Sequence, residues 1–162
     1  MEKGSSFTLS LPIHQTQIEP LPPKAGSTSF TFLTSPLIVV VDDDKDVRDG
    51  MSALLTGWNC QVICTATGED ATSLLSNTTE TPTLLIIDKR LANDENGIDV
   101  IERIREEVNE TTPALLMTGD ISGFDEVTNE TSVQIMHKPV EPNEIKRTIS
   151  DLITSSDRSN QA

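Results

Sequence analysis

The chain has 162 residues, of which 35% are hydrophobic, so it is long enough for one globular domain with its own core. Its 12 Lys and Arg residues against 26 Asp and Glu residues give a formal net charge of −14, which disfavours binding to nucleic acid or to an anionic membrane surface. No run approaches the roughly 18 apolar residues of a membrane span, and the N-terminal residues do not resemble a signal peptide.

The first 36 residues differ in composition from the rest of the chain. They contain five of the nine prolines, and residues 7–11 alternate apolar and polar side chains as a short strand does. A strand of this kind cannot fold alone. We therefore expect a Pro-rich linker over residues 13–36, a domain over residues 37–154 and a disordered tail over residues 155–162.

The domain alternates strand and helix patterns along its length. Short apolar, β-branched segments predict strands at Leu37–Val41, residues 61–66, Leu84–Ile87, Ala114–Met117 and Val133–Met136. Helical spacing after each strand predicts five helices, with apolar faces at Val47, Met51, Leu54 and Leu55; Ala71, Leu74 and Leu75; Ile98, Ile101, Ile104 and Val108; Phe124 and Val127; and Ile145, Ile149, Leu152 and Ile153. This alternation predicts an α/β fold, an open doubly wound parallel sheet with helices on both faces.

Polar residues follow four of the predicted strands at the point where each strand ends. Asp42 and Asp43 follow the first strand, Asp88 the third, Thr118 the fourth and Lys138 the fifth. Ligand sites in open parallel sheets lie outside the carboxyl ends of the strands. We therefore expect these side chains to meet at one edge of the sheet.

The residue types at this edge indicate phosphoryl chemistry with a metal ion. Clustered carboxylates repel one another unless a cation joins them, and oxygen ligands suit Mg²⁺, which shares its coordination with phosphate. A carboxylate can accept a phosphoryl group, while a lysine and a hydroxyl bind the remaining oxygens. The chain has no G-x-x-x-x-G-K-[ST] loop. The phosphoryl group would therefore come from a donor other than ATP bound to this chain.

Residues 37–154 resemble the receiver domain of response regulators, the flavodoxin-like phosphoacceptor module of two-component signalling. The resemblance rests on four segments at strand ends: IVVVDDD at 38–44, LIIDKRL at 85–91, LMTG at 116–119 and Lys138-Pro139. It implies a five-stranded sheet of order 2-1-3-4-5 with five helices. It also implies a cytoplasmic phosphoprotein that catalyses its own phosphorylation and dephosphorylation.

The resemblance implies a metal site and a phosphorylation site. Asp88 corresponds to the aspartate that takes phosphate from a phosphohistidine and also binds Mg²⁺. Asp43 corresponds to a direct Mg²⁺ ligand, and Asp42 to its partner that acts through a metal-bound water. Arg90 lies where the family supplies a backbone carbonyl to the metal.

The resemblance also assigns Thr118 and Lys138 to the phosphoryl oxygens, with Pro139 commonly following in a cis bond. One position departs from the family pattern, because Ile135 replaces the usual switch aromatic and the chain has no Tyr. The usual coupling of a threonine shift to a rotating ring is therefore in doubt. This favours a relay module that passes phosphate on.

Residues 3–12, with the sequence KGSSFTLSLP, resemble the closing strand of a histidine-kinase ATP-binding domain. This second resemblance implies that residues 1–12 end such a domain, and that the chain is the C-terminal part of a hybrid sensor histidine kinase. The expected partners are a histidine-kinase donor, a histidine-phosphotransfer protein, or both. The segment would then be cytoplasmic and could be tethered to a membrane-bound sensor.

Two other classes of function stay open at this point. A metal-dependent phosphohydrolase also uses a strand-end aspartate, but it typically has a second aspartate two residues later, where this chain has Arg90. A non-phosphorylated interaction module with the same fold would not need the four strand-end groups.

Two further groups of residues are interpreted as structural. Asp94, Glu95, Asn96 and Asp120 are predicted to form an acidic, solvated rim. Cys60 and Cys64 are too far apart along a strand for a disulfide and are interpreted as packing residues.

Overall fold

The computed structural model describes residues 32–108, 112–119 and 133–159. Its strands are β1 (Leu37–Val41), β2 (Gln61–Thr65), β3 (Leu84–Asp88), β4 (Ala114–Thr118) and β5 (Val133–His137). The α-helices in these residues are α1 (Lys45–Gly57), α2 (Gly68–Leu75), α3 (Gly97–Val108) and α4 (Pro142–Ser159), and a 3₁₀ turn covers Ala92–Asp94.

The five strands form one parallel sheet in the order β2-β1-β3-β4-β5, which confirms the predicted fold class and strand order. The prediction of five helices is not matched in number, because the described residues contain four α-helices and the 3₁₀ turn. The helix predicted at Phe124 and Val127 lies outside the described residues. Helix α4 ends at Ser159, within the stretch for which a disordered tail was predicted.

The sheet separates two apolar layers, and this explains why its central strands are continuous apolar runs. Alternate residues of β1 point to opposite faces, so that Ile38 and Val40 pack with residues of α1 and α4. Val39 and Val41 pack with residues of α2 and α3. All five residues of β1 are buried. A strand covered on both faces cannot move without disturbing both layers, so its carboxyl end is held firmly.

Side-chain caps begin two of the helices directly after strands. The Asp44 carboxylate accepts a hydrogen bond from the Asp46 N–H at 2.8 Å and caps α1. The Thr67 hydroxyl accepts one from the Asp70 N–H at 3.1 Å and caps α2. Each cap satisfies an N–H group that has no partner within its helix. No helix within the described ranges is long and apolar enough to cross a membrane.

The last residues of the predicted linker contact the domain. The Phe32 N–H donates to the Trp58 carbonyl at 2.9 Å, and the Asn59 side-chain amide donates to the Phe32 carbonyl at 2.7 Å. Phe32 also packs against the apolar layer on the α1 side. The chain therefore enters the domain at the turn between α1 and β2, and β1 begins five residues later.

Both cysteines are free thiols packed in the same layer, in agreement with their interpretation as packing residues. Burial raises the pKa of Cys60 to about 11. Burial also raises the pKa of Cys64, partly offset by a hydrogen bond from Ser52 and the charge of Arg48. A raised pKa leaves the thiol protonated at neutral pH, and the neutral thiol is a poor nucleophile.

We predict that the native protein resists alkylation of Cys60 by iodoacetamide at pH 8, because almost none of this thiol is ionised there. The extent of labelling can be measured by intact-protein mass spectrometry before and after unfolding in urea. Two added groups are expected only in urea. Rapid labelling of Cys60 in the native protein would contradict the burial described here.

Candidate functional site

The register of the sheet brings the predicted site residues to one edge. Val41 pairs with Ile87 across β1 and β3, so Asp42 and Asp88 are the next residues at the same level on neighbouring strands. Asp88 in turn pairs with Met117, and Thr118 pairs with His137. The ends of four strands therefore lie side by side, as the sequence predicted.

Asp42 is the most constrained carboxylate at this edge, with only 3% of its surface exposed. Its Oδ1 accepts a hydrogen bond from the Asp44 N–H at 2.9 Å, and its Oδ2 lies 2.8 Å from the Lys138 Nζ. Its backbone carbonyl accepts a hydrogen bond from the Arg48 guanidinium at 2.6 Å. The buried carboxylate is thus satisfied on both oxygens, as a buried charge requires.

Lys138 joins two strands through its ammonium group. The Lys138 Nζ lies 2.8 Å from Asp42 Oδ2 and 2.9 Å from Asp88 Oδ1. Its backbone N–H donates to the Thr118 carbonyl at 2.7 Å, and the bond to Pro139 is cis. One lysine therefore contacts a carboxylate at the end of β1 and another at the end of β3, while its backbone is fixed to the end of β4.

The electrostatics of the site follow from this bridge. Burial raises the pKa of Asp88, although the hydrogen bond and charge of Lys138 act in the opposite direction. The neighbouring charges of Asp42 and Asp43 add to the rise. Burial by itself lowers the pKa of Lys138, but its contacts with Asp42 and Asp88 outweigh burial and raise that pKa. The lysine therefore stays cationic at neutral pH.

The carboxylates at this edge also have the arrangement that a hard cation needs. One oxygen each from Asp42, Asp43 and Asp88 lies within 4.8 Å of the others. Asp43 is exposed and Asp88 is half-buried, so both face an accessible space. Two of the three carboxylates already bind a cation, the Lys138 ammonium. An all-oxygen set with an open side fits Mg²⁺.

The loop between β3 and α3, residues 89–96, lies against Asp88. Its ends are held by the Lys89 N–H, which donates to Met117 at 2.7 Å, and by the Gly97 N–H, which donates to the Lys89 carbonyl at 2.9 Å. A Cβ at Gly97 would lie 2.2 Å from the Asp88 carbonyl oxygen, so only glycine fits there. This close approach fixes the loop beside the Asp88 carboxylate.

Thr118 and Ile135 lie on β4 and β5, on the side of the site away from β1. Thr118 ends β4 and is 2% exposed, with its strand directly between those of Asp88 and Lys138. Ile135 lies on β5 opposite Leu116 and packs in the layer formed with α2 and α3. A branched aliphatic side chain thus occupies the position where the family usually has an aromatic ring.

Sequence reasoning missed two residues that hold this edge together. Glu95 was predicted to lie in a solvated rim, yet it accepts hydrogen bonds from the Gly68 N–H at 3.2 Å and from Arg103 at 2.9 Å. Arg48 was not singled out, although it binds the Asp42 carbonyl. Arg48 follows the helix cap Asp44 by one turn, which is a signal that could have placed it beside the end of β1.

Comparisons with known proteins agree with this arrangement. The family model of the response regulator receiver domain matches residues 38–150. A candidate transcriptional regulator from Haloferax volcanii is 32% identical over 120 residues, which cover 74% of this chain and 20% of that protein. The chain thus spans about a fifth of the length of that relative.

Two solved structures share the fold. The receiver domain of the hybrid histidine kinase CckA superposes with a TM-score of 0.61 at 23% identity, covering 72% of this chain and 98% of that chain. A CheY-like response regulator receiver domain from Methylobacillus flagellatus has a TM-score of 0.61 at 17% identity, with the same coverage of each chain. Identities this low support the fold alone.

The Lys138 bridge leads to a prediction about stability. Replacing Lys138 with Met leaves the Asp42 and Asp88 carboxylates facing each other without a counter-ion. Because the lysine side chain is 29% exposed, we expect a loss of about 2 kcal/mol in the free energy of unfolding, below the ~3–5 kcal/mol typical of a fully buried pair. Urea unfolding in EDTA measures this change.

Lys45→Met is the matched control, since Lys45 pairs with Asp49 on the exposed face of α1. That variant should unfold at nearly the same urea concentration as the parent. Adding Asp88→Asn to Lys138→Met should recover part of the lost stability, because it removes one of the two facing charges. A Lys138→Met protein as stable as the parent would show that the bridge contributes nothing.

Proposed function

Because the chain belongs to the response regulator receiver family, we propose that it takes a phosphoryl group from a phosphohistidine onto Asp88. The observation that carries the proposal is the Lys138 ammonium lying 2.9 Å from Asp88 Oδ1 at an edge that also has Asp42 and Asp43. The half-buried Asp88 ends a strand that is otherwise buried. The Asp88 carboxylate is therefore held in position by the strand and is still partly accessible to a donor.

The proposed step is a phosphoryl transfer between two side chains. A carboxylate oxygen of Asp88 attacks the phosphorus of the donor phosphohistidine and forms an O–P bond. The N–P bond breaks, and its electron pair returns to the imidazole nitrogen of the donor. In this proposal Lys138 neutralises charge on the transferred group and Thr118 contacts one of its oxygens, the roles that the resemblance to the family implies.

We propose Asp42, Asp43 and Asp88, with the backbone carbonyl of Arg90, as the residues that hold Mg²⁺. When bound, the ion would neutralise the charge that gathers on the phosphoryl oxygens. Asp43 is the exposed member of the set and is suited to direct binding. Asp42 has both carboxylate oxygens engaged and is suited to acting through a bound water.

We also propose the wider signalling context. The donor is a histidine kinase, a histidine-phosphotransfer protein, or both, and the chain is a cytoplasmic part of a hybrid kinase. The resemblance of residues 3–12 to a kinase segment supports this origin, but those residues lie outside the described ranges. Ile135 in place of an aromatic ring favours a relay that hands the phosphoryl group to a further histidine.

The phosphohydrolase alternative is less well supported than the relay. Position 90, where such an enzyme typically carries its second aspartate, is an arginine. A non-phosphorylated interaction module remains a distinct outcome, and the following experiment separates it from a receiver.

Incubation with acetyl phosphate and Mg²⁺ is expected to add one phosphoryl group to the protein. The adduct should be absent in EDTA and in Asp88→Asn, because the first lacks the metal and the second lacks the attacking carboxylate. Intact-protein mass spectrometry measures the adduct. Asp94→Asn, an exposed acid of the β3–α3 loop, is the matched control and should be phosphorylated as the parent is.

Phosphorylation of Asp88→Asn to the same extent as the parent would overturn the assignment of Asp88. Steady release of phosphate from a small phosphomonoester would favour the phosphohydrolase. An absence of any adduct, together with an absence of Mg²⁺ binding, would favour the interaction module.

The two carboxylates that follow β1 should differ in their effect on metal affinity. We expect Asp43→Asn to abolish Mg²⁺ binding and Asp42→Asn to weaken it roughly tenfold, since a direct ligand contributes more than a residue acting through water. Isothermal titration calorimetry with MgCl₂ measures both dissociation constants.

Asp44→Asn is the control for this pair, because it removes the same charge from the same strand end. Asparagine also preserves the helix cap, so this variant should stay folded and bind Mg²⁺ nearly as the parent does. Equal dissociation constants for Asp42→Asn and Asp43→Asn would contradict the proposed division of roles.

A further inference from the structure

Glu95 connects the β3–α3 loop to two neighbouring helices. Its carboxylate accepts a hydrogen bond from the Gly68 N–H at the start of α2, at 3.2 Å. Its other oxygen lies 2.9 Å from the Arg103 guanidinium on α3. The Glu95 side chain is 21% exposed. The positive end of α2 and the arginine charge both stabilise a carboxylate at this place.

The backbone of Glu95 contacts the peptide unit that carries the Arg90 carbonyl. The Leu91 N–H donates to the Glu95 carbonyl at 3.0 Å. That N–H and the Arg90 carbonyl belong to the same planar peptide group, in which they point in opposite directions. The hydrogen bond to Glu95 therefore sets the direction in which the Arg90 carbonyl points.

The rest of the loop is held at its ends, by the hydrogen bonds from Lys89 to Met117 and from Gly97 to Lys89. Residues 92–94 at the tip of the loop are exposed, and both Asn93 and Asp94 have positive φ angles. Backbone pairing joins Arg90 to Asn96 within the loop itself. The Leu91 side chain packs in the apolar layer with residues of α2 and α3, and the Glu95 carboxylate adds polar contacts with both helices.

We propose that Glu95 is a positioning residue for the metal site, which orients the Arg90 carbonyl by anchoring the β3–α3 loop to α2 and α3. This inference rests on the proposed function, because it takes the Arg90 carbonyl as a ligand of Mg²⁺. It assigns a role to a carboxylate that does not itself contact the cluster of Asp42, Asp43 and Asp88. Loss of the contact with either Gly68 or Arg103 should lower the Mg²⁺ affinity of the site.

The test compares Glu95→Ala, Glu95→Gln and Arg103→Ala with Asp94→Asn as the control. Titration calorimetry of the full chain with MgCl₂ should give a dissociation constant about tenfold larger for Glu95→Ala than for the parent, as for other residues that orient metal ligands. Asp94→Asn removes the same charge from the adjacent residue, tolerates the positive φ at this position, and should stay close to the parent. Glu95→Gln keeps one acceptor oxygen of the two and so loses one of the two contacts, and its Mg²⁺ affinity should lie between those of the parent and Glu95→Ala.

Arg103→Ala distinguishes an effect of the anchor on Mg²⁺ affinity from an effect of the arginine charge alone. Loss of a positive charge near the site would by itself tighten Mg²⁺ binding. If Arg103 acts by anchoring Glu95, its loss should have the opposite effect and increase the dissociation constant for Mg²⁺. Tighter binding in Arg103→Ala would overturn the inference, as would equal effects of Glu95→Ala and Asp94→Asn.

Hydrogen exchange in EDTA gives a second measurement that needs no metal. The Leu91 amide should exchange faster in Glu95→Ala and Arg103→Ala than in the parent or in Asp94→Asn. A lower unfolding free energy in Glu95→Ala with unchanged Mg²⁺ affinity and unchanged Leu91 exchange would show a merely structural role.

If the parent binds Mg²⁺ and the variants bind it equally well, the proposed role of Glu95 is wrong but the metal site stands. A parent that binds no Mg²⁺ would overturn the metal site and this inference together.

Discussion

The contact between the Lys138 ammonium and the carboxylates of Asp42 and Asp88 is the interaction on which the arrangement of the site depends. It joins the ends of β1, β3 and β5, which are separated in the sequence by more than 40 residues each. Burial of the Asp42 carboxylate at 3% exposure would be costly without such a partner. The same contact holds the Asp88 carboxylate at the edge of the sheet, where a donor can reach it. Structural stability and the proposed chemistry therefore depend on one lysine.

The charges at this edge also explain why a dication suits it. The carboxylates of Asp42, Asp43 and Asp88, taken with the Lys138 ammonium, leave an excess of two negative charges, which equals the charge of one Mg²⁺ in magnitude. The raised pKa of Asp88 reflects burial and this excess. A phosphoryl donor is itself anionic, so the two excess negative charges would repel it unless a metal cation were bound as well. The electrostatics thus tie the proposed transfer to metal binding.

The scaffold keeps these groups in place by burying β1 on both faces and by packing glycine against the Asp88 backbone. The apolar layers hold the strands, and the contacts of Gly97 and Glu95 hold the loop that follows β3. The side chain at position 135 contributes aliphatic packing to one of these layers. Rotation of a ring at that position is not available to this chain. A response to phosphorylation would instead involve the groups that contact the site directly, which suits a module that passes the phosphoryl group on.

The sequence by itself determined the parallel sheet and the four strand-end groups, because buried parallel strands are continuous apolar runs and their polar ends stand out. The order of the strands was implied by the resemblance to the receiver family. The described residues contain four α-helices and a 3₁₀ turn, and the fifth helix predicted at Phe124 and Val127 lies outside them. Only the tertiary structure decided that Lys138 binds both Asp42 and Asp88, and that Arg48 holds the Asp42 carbonyl. It also decided that Glu95 is anchored rather than solvated. Such contacts join residues far apart in the chain or across a loop, and local periodicity carries no information about them.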